Sequence, residues 1–549
     1  MHIGEAVIDS LAANGIDTVF GIPGVQTLPL NKSIEGRNDI RFVMIRHETA
    51  APHAAWGYAE SSGEPAATFV IPGPGDMNAM NGLKNALNDC TPLVHIAVET
   101  DPDIRGGDSI HEVDPDTYDN VVKMNTLIET PESTVAELER AIAIAETPPK
   151  GPVRVGIPKS FLTMNVELTD VGGYGQEPLF DPSESAIKRA VDCLEDAEPT
   201  IIAGGGVRSS EAGEELRAVA ERLDAPVTVT YKGKGVFPED HELFASGFCH
   251  SSSTELKELV ADSDVVLAVG TDIDAHTTGD WAMDLPDLIH VTLDAHDIGR
   301  GYPAKVGIAA DAADTLSALN ERLSGRDAGV KNGASRAASV REGESQKMDE
   351  LVEVSDPPLT SPSALAAIRD ALDREDIVTV DPGGFGIWAV LGFETYEPRT
   401  YVRPGSWASM GTGLPSAIGA QLANPDDHVV TLTGDGGLFM CVHELHTAVD
   451  EDIPVTTIVF NNDDYAIISE AAERSYQLPE GSYRWDRSPA SFVDLAGSVG
   501  MKGTRVETPA EIKKALSEAA TSDEPMLIEI PIDPREPQAG PWMSDDPVH

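Results

Sequence analysis

Short apolar runs that end on glycine and give way to a helix-like stretch recur along the whole chain. Thr18-Val19-Phe20 breaks into Gly21-Ile22-Pro23-Gly24, and Pro199-Thr200-Ile201-Ile202-Ala203 into Gly204-Gly205-Gly206. Val429–Thr433 breaks into Gly434-Asp435-Gly436-Gly437. Continuous apolar runs mark strands buried on both faces, and the intervening helices supply the crossovers that parallel strands need. The pattern predicts an α/β protein of three doubly wound parallel-sheet domains, as 549 residues also suggest. The first block is 1–165, with a helix over 3–14 and strands at Ala67–Ile71 and Leu93–Val98. The second, 186–325, carries strands at Pro199–Ala203, Asp264–Val269 and Leu288–Leu293. The third, 360–535, carries Ile377–Val380, Val429–Thr433, Thr456–Phe460 and Met526–Ile530. Residues 166–185 and 326–357 read as linkers, and PREPQAGPWMSDDPVH as a tail that packs on another surface or stays mobile.

Charge narrows the function classes. Acidic residues number 92 against 39 basic ones, a net charge of −53 spread along the chain. Such a field repels nucleic acid and anionic lipid, so neither is an expected partner. It suits a halophilic surface, since concentrated salt shortens the Debye length to a few ångströms. The four cysteines lie far apart with no CxxC spacing, which argues against a disulfide framework or a zinc site. The first residues lack a basic segment followed by an apolar core, and no apolar stretch reaches about 18 residues. A cytoplasmic protein is expected.

Residues 431–468, TLTGDGGLFMCVHELHTAVDEDIPVTTIVFNNDDYAII, carry the chemistry. Asp435 and Asn462 fall at the carboxyl ends of two predicted parallel strands, where open α/β sheets bind ligands. A diphosphate held through Mg²⁺ suits them. The ion takes oxygen ligands, here the Asp435 carboxylate, the Asn462 amide and a backbone carbonyl near Asp464. Gly436 and Gly437 let N–H groups approach phosphate oxygens at a helix start. The plain alternative is a glycine turn and an Asn-Asn turn that join strands. The second asparagine at this separation, with strands on both sides, weighs against it.

This pattern resembles the thiamin-diphosphate enzyme family, and within it acetolactate synthase and the related 2-oxo-acid decarboxylases. Ile418-Gly419, Pro425 and Val430–Gly437, with Gly434 inside it, resemble the family signature. The resemblance implies a pyrimidine-binding, a central and a diphosphate-binding domain, in that order. It implies that Glu48, in Arg46-His47-Glu48-Thr49, is the carboxylate on the cofactor's pyrimidine nitrogen that promotes proton loss from the thiazolium. Taken alone, Glu48 would be a capping or surface acid. Phe20–Gly24, with Pro23, and Gly73-Pro74-Gly75 with Asn78 resemble the family's pyrimidine-side loops. Ser406–Gly411 resembles its cofactor-bending stretch: Met410 would wedge between the rings, and the Ala408 carbonyl would accept from the 4′-amino group, at a position where the family often has Gly. Core packing is the plain alternative for Met410. Gly383, in Asp381-Pro382-Gly383-Gly384, would add N–H groups to the phosphates, and Tyr465 follows the metal turn among the cofactor contacts. Thr230–His241 and Leu293-Asp294 with Ile298–Arg300 follow the central-domain pattern. Acetolactate synthases hold FAD there, and Gly204–Gly206 leaves FAD open.

Family chemistry removes carbon dioxide from a 2-oxo acid, then either releases an aldehyde or joins the remainder to a second carbonyl. Overall similarity favours acetolactate synthase-like carboligation starting from pyruvate. The alternatives are a benzoylformate- or indolepyruvate-type decarboxylase and a non-catalytic cofactor-binding homologue. Ile110 and His111 replace the synthase's Phe and Gln, the third block lacks its Gln-His-Gln-Met, and Asp463–Ile468 looks decarboxylase-like. His111 is a candidate proton relay, since imidazole titrates near neutrality, or else a hydrogen-bonded loop histidine. The resemblance also implies a homodimer or homotetramer, with room for a regulatory subunit.

Overall fold

A computed structural model describes residues 2–166, 181–324, 332–485 and 487–544. The first sheet comprises β1 (Thr18–Gly21), β2 (Arg41–Met44), β3 (Ala66–Val70), β4 (Leu93–Glu99), β5 (Met124–Leu127) and β6 (Pro152–Pro158), ordered β2-β1-β3-β4-β6-β5. The central sheet comprises β7 (Pro199–Ala203), β8 (Val227–Thr230), β9 (Phe244–Phe248), β10 (Val265–Val269), β11 (Asp287–Thr292) and β12 (Ala304–Ala309), ordered β12-β11-β10-β7-β8-β9. The third comprises β13 (Ile377–Val380), β14 (Tyr401–Val402), β15 (Val429–Gly434), β16 (Thr456–Asn461), β17 (Lys502–Arg505) and β18 (Met526–Pro531), ordered β14-β13-β15-β16-β18-β17. Every strand pair is parallel. The chain is thus α/β with three parallel sheets, as the glycine-terminated runs predict.

The first and third sheets repeat one order, each strand standing where its counterpart does. The central sheet has the other doubly wound order, with its switch point between β7 and β10. Strands β3, β4, β7, β10 and β16 are buried along their whole length, which is why they show as mainly apolar runs. The first and third domains share a core through the helices Ala50–Ser62 and Gly413–Ala423, where Ala51, Ala54 and Ala55 pack with Leu414, Ala417 and Ile418. Their backbones nearly touch: a Cβ added to Gly57 would lie 2.3 Å from the Ser416 carbonyl oxygen.

One reading changes, and another is decided between its two alternatives. Much of the expected linker 326–357 is a 20-residue helix, Gly333–Val352, that buries Ala337, Val340, Glu344 and Leu351. Its few apolar residues hide it among Gly, Ser, Ala and charge. The C-terminal segment packs as the helix Ala539–Met543, with Trp542 Nε1 donating to the Lys347 carbonyl at 2.8 Å. The other linker, 166–185, lies mostly outside the described residues. No described helix is long and apolar enough to cross a membrane.

Candidate active site

Two clusters of strand-end residues stand out. The first lies on the carboxyl edge of the first sheet. Glu48 follows β2 and the helix Pro74–Asn88 follows β3. Asn78 Nδ2 donates to Glu48 Oε2 at 3.0 Å, and Thr49 Oγ1 to the Asn78 carbonyl at 2.8 Å. Gly75 lies against the same carboxylate, 3.2 Å from Glu48 Oε1 to where its Cβ would be. Gly73, at φ 62°, leaves only 2.5 Å between a would-be Cβ and the His111 carbonyl oxygen. His111 is therefore packed on the Gly73 turn, and its Nδ1 is buried without a partner. Gly24, next to the exposed Pro23, abuts Ile71 just before that turn. Pro23, Glu48, Gly73, Asn78 and His111 thus share one edge.

The second cluster is on the carboxyl edge of the third sheet. β15 ends at Gly434, and Asp435 opens the helix Asp435–Cys441. The Asp435 carboxylate is buried and accepts the N–H of Gly436 at 2.7 Å and of Asn462, after β16, at 3.1 Å. Asn462 Oδ1 accepts from Asp464 N at 3.2 Å. Burial pushes the Asp435 carboxyl up to about 7, because these N–H donors do not offset the lost water and no basic side chain pairs with it among the described residues. The Asp464 carboxylate is occupied by Ser469 Oγ at 2.5 Å and Arg484 Nε at 3.3 Å. Tyr465 lies over Gly436, where a Cβ would stand 2.5 Å from its ring.

The segment bearing Met410 is stapled to β13. Asp381, fully buried, accepts N–H groups of Gly411, Thr412 and Gly413 at 2.9–3.1 Å and the Thr433 hydroxyl at 3.0 Å. Ala408 sits at φ 45°, a left-handed conformation that costs an L residue about 1 kcal/mol. Gly383 precedes the helix Gly384–Gly392 on the same edge. Within one chain the two clusters stand on different sheets, and no hydrogen bond joins them directly among the described residues. Asn81, one turn beyond Asn78, donates to Ser409 Oγ at 2.7 Å.

Several supporting residues escape sequence reading. Glu444, fully buried, accepts the N–H groups of Arg46 and His47 at 3.1 and 3.0 Å, and so fixes the approach to Glu48. Beneath the Gly73 turn, Asp76 accepts from Arg154 Nε at 3.0 Å and meets His95 Nε2 at 3.0 Å, while Glu99 pairs with the same arginine. All four are buried. A histidine and an arginine inside otherwise apolar strands, LVHIAVE and PVRVGIP, were the available signal.

At the central switch point a cleft of about 300 Å³ is lined by Gly205, Gly206, Lys232, Gly270 and six aspartates: Asp89, Asp272, Asp274, Asp294, Asp297 and Asp311. Lys150, Arg208 and Lys232 are its basic residues, and the last two are paired with the buried Glu60 of the first domain. The Gly206 N–H donates to the Gly270 carbonyl at 2.8 Å, and Gly204 lies against the same backbone. No group of three His, Cys, Asp or Glu side chains forms a metal site among the described residues.

Three family models match in chain order. Residues 1–119 match the thiamine pyrophosphate enzyme N-terminal TPP binding domain, 187–319 its central domain and 381–530 its C-terminal TPP binding domain. A probable acetolactate synthase large subunit of Methanocaldococcus jannaschii is 32% identical over 98% of this chain and 93% of its own length. An acetolactate synthase large subunit of Haemophilus influenzae is 29% identical over 97% and 94%. A probable 2-ketoarginine decarboxylase AruI of Pseudomonas aeruginosa is 33% identical over 84% and 82%. With all three domains matched and full-length relatives on hand, the chain belongs to the thiamine pyrophosphate enzyme family, in its acetolactate synthase and 2-oxo-acid decarboxylase group.

Proposed function

We propose that the chain decarboxylates pyruvate and joins the remainder to a second 2-oxo acid, an acetolactate synthase-like carboligation dependent on thiamin diphosphate and Mg²⁺. The carrying observation is the pair of strand-end clusters around Glu48 and Asp435. In this reading 1–165, 186–325 and 360–535 are the pyrimidine-binding, central and diphosphate-binding domains. The bound cofactor supplies an electron-accepting ring for the loss of carbon dioxide. Asp435, Asn462 and the Asp464 carbonyl hold Mg²⁺. That fit rests on a buried carboxylate with no cationic partner and on too few protein ligands to complete the shell without phosphate oxygens. Gly383, Gly434, Gly436 and Gly437 face the diphosphate. By the family resemblance Met410 would pack against the cofactor's rings, the Ala408 carbonyl would hold its amino group, and Tyr465 would lie beside them. Glu48 holds the proton shared with the pyrimidine nitrogen, and His111 Nδ1 relays a proton to or from substrate.

The family resemblance implies that the cofactor lies between the first domain of one protomer and the third of its neighbour; on that reading a homodimer is the smallest active unit and a homotetramer fits equally. Relatives named as large subunits support a regulatory partner. FAD does not suit the central cleft. Its diphosphate would face six aspartates with Lys150 as the one basic lining residue not paired to Glu60, and the glycine run is accounted for by its packing on Gly270.

A decarboxylase that releases an aldehyde is the second reading, supported by the AruI similarity and by His111. Pure protein with pyruvate, thiamin diphosphate and Mg²⁺ decides: acetolactate is expected, free acetaldehyde selects the second reading, and failure to bind the cofactor leaves neither.

A further inference from the structure

In a chain with 92 acids, a buried base should have no trouble finding a carboxylate. Four described basic side chains are almost wholly buried: Arg154, Arg208, Lys234 and Arg403. The first three each pair with a carboxylate. Arg403, 5% exposed, forms no ion pair among the described residues, and its Nε is buried without a hydrogen-bond partner. Its guanidinium lies over Tyr231, 4.4 Å from the ring centre. Tyr231 joins it to a histidine pair: its hydroxyl is 2.7 Å from His250 Nδ1, and its ring stacks on His276 at 5.6 Å. The two imidazoles lie 4.8 Å apart. Burial, His276 and Arg403 together hold His250 down at about 4. Asp274 acts electrostatically on both histidines but does not pair with Arg403. Arg403 is thus a buried cation with no directly paired carboxylate among the described residues, Asp274 acting on the cluster only through space, and such a charge is costly unless a ligand supplies a partner.

Its place points to substrate. Arg403 follows β14, and its Nε is 3.9 Å from where a Cβ on Gly386 would be, in the first turn after Gly383. β14 is two strands from β15, or roughly 10 Å from the Asp435 turn at ordinary strand spacing. Tyr231, Asp274 and Gly405 also line the central cleft, so space adjoins the cluster. We propose that Arg403, backed by Tyr231, His250 and His276, binds the carboxylate of a 2-oxo-acid substrate. The planar edge formed by Nε and one Nη matches a carboxylate's two oxygens. This assignment rests on the 2-oxo-acid reading above.

The test uses the protein loaded with thiamin diphosphate and Mg²⁺, with oxamate, an unreactive pyruvate isostere, titrated by calorimetry. Arg403→Gln should weaken oxamate binding about tenfold or more and raise the pyruvate KM in step, while thiamin diphosphate affinity stays within about twofold. Arg403→Lys should recover part of the loss. Unchanged oxamate affinity in Arg403→Gln, or no oxamate binding by the parent protein, overturns the proposal. So does a parallel fall in thiamin diphosphate affinity, which would assign the arginine to the diphosphate, and so does equal affinity for chloride. Oxamate binding through Arg403 without turnover of any 2-oxo acid would leave this site standing and sink the activity instead.

Discussion

Glu48 and Asp435 show how differently two acids can be placed in one protein. Glu48 is half-buried, takes a single amide donor from Asn78 and leaves its other oxygen free. Asp435 is buried, with backbone donors on both oxygens. The first arrangement suits proton exchange and the second a fixed charge for a cation. Glu48→Gln should therefore cost about 100-fold or more in turnover, the usual range for losing a general acid–base group, with thiamin diphosphate and Mg²⁺ affinity retained. Full activity in that variant would remove the assigned role. Asp435→Ala should instead weaken cofactor binding about tenfold or more, equivalent to about 1.4 kcal/mol, read by fluorescence titration with and without Mg²⁺. At this scale the sequence is legible where a motif marks a strand end, as at Gly434–Gly437. It is silent for Asp381 and Glu444, because their work lies in backbone N–H groups supplied from distant parts of the chain.

The helices Ala50–Ser62 and Gly413–Ala423 tie the Glu48 side of the molecule to the Met410 side, and small residues make their approach possible. Gly57→Ala would force a methyl to within 2.3 Å of the Ser416 oxygen, so a loss of about 1–3 kcal/mol is expected. Gly497→Ala, in a helix with nothing within 4 Å of the new Cβ, should be neutral or gain up to about 1 kcal/mol. Equal effects in denaturant melts would show that the crossing is not tight. The helix Gly333–Val352 offers a pH test. Glu344, buried and hydrogen-bonded by Ser253, is pushed by burial from 4.5 to about 7. The folded state keeps a proton that the unfolded chain releases from pH about 4.5 upward, so this group's contribution declines as pH rises to about 7. Glu344→Gln should flatten that slope and stabilise the protein at pH 8, by up to about 3 kcal/mol. An unchanged melting profile between pH 5 and 8 would refute it. Central strands were legible from apolar runs. Edge strands such as Lys502–Arg505, half-exposed, were not, because a strand that faces water on one side carries no continuous apolar signal.

For the whole molecule, a net charge of −53 sets solubility and salt response rather than fold. Melting temperature should climb as KCl rises from low to molar concentrations, since screening relieves self-repulsion. A flat or falling trend would count against a halophilic surface. The sequence by itself determined the α/β class and the glycine-marked strand ends, because buried parallel strands and phosphate-sized turns leave local compositional traces. It also carried the family likeness. Only the tertiary structure decided that His111 packs on the Gly73 turn, that Arg208 and Lys232 are spent on Glu60, and that Arg403 is a buried base without an acid. Those facts depend on which residues meet across domains, and pairing at such distances leaves no trace in neighbouring positions of the chain.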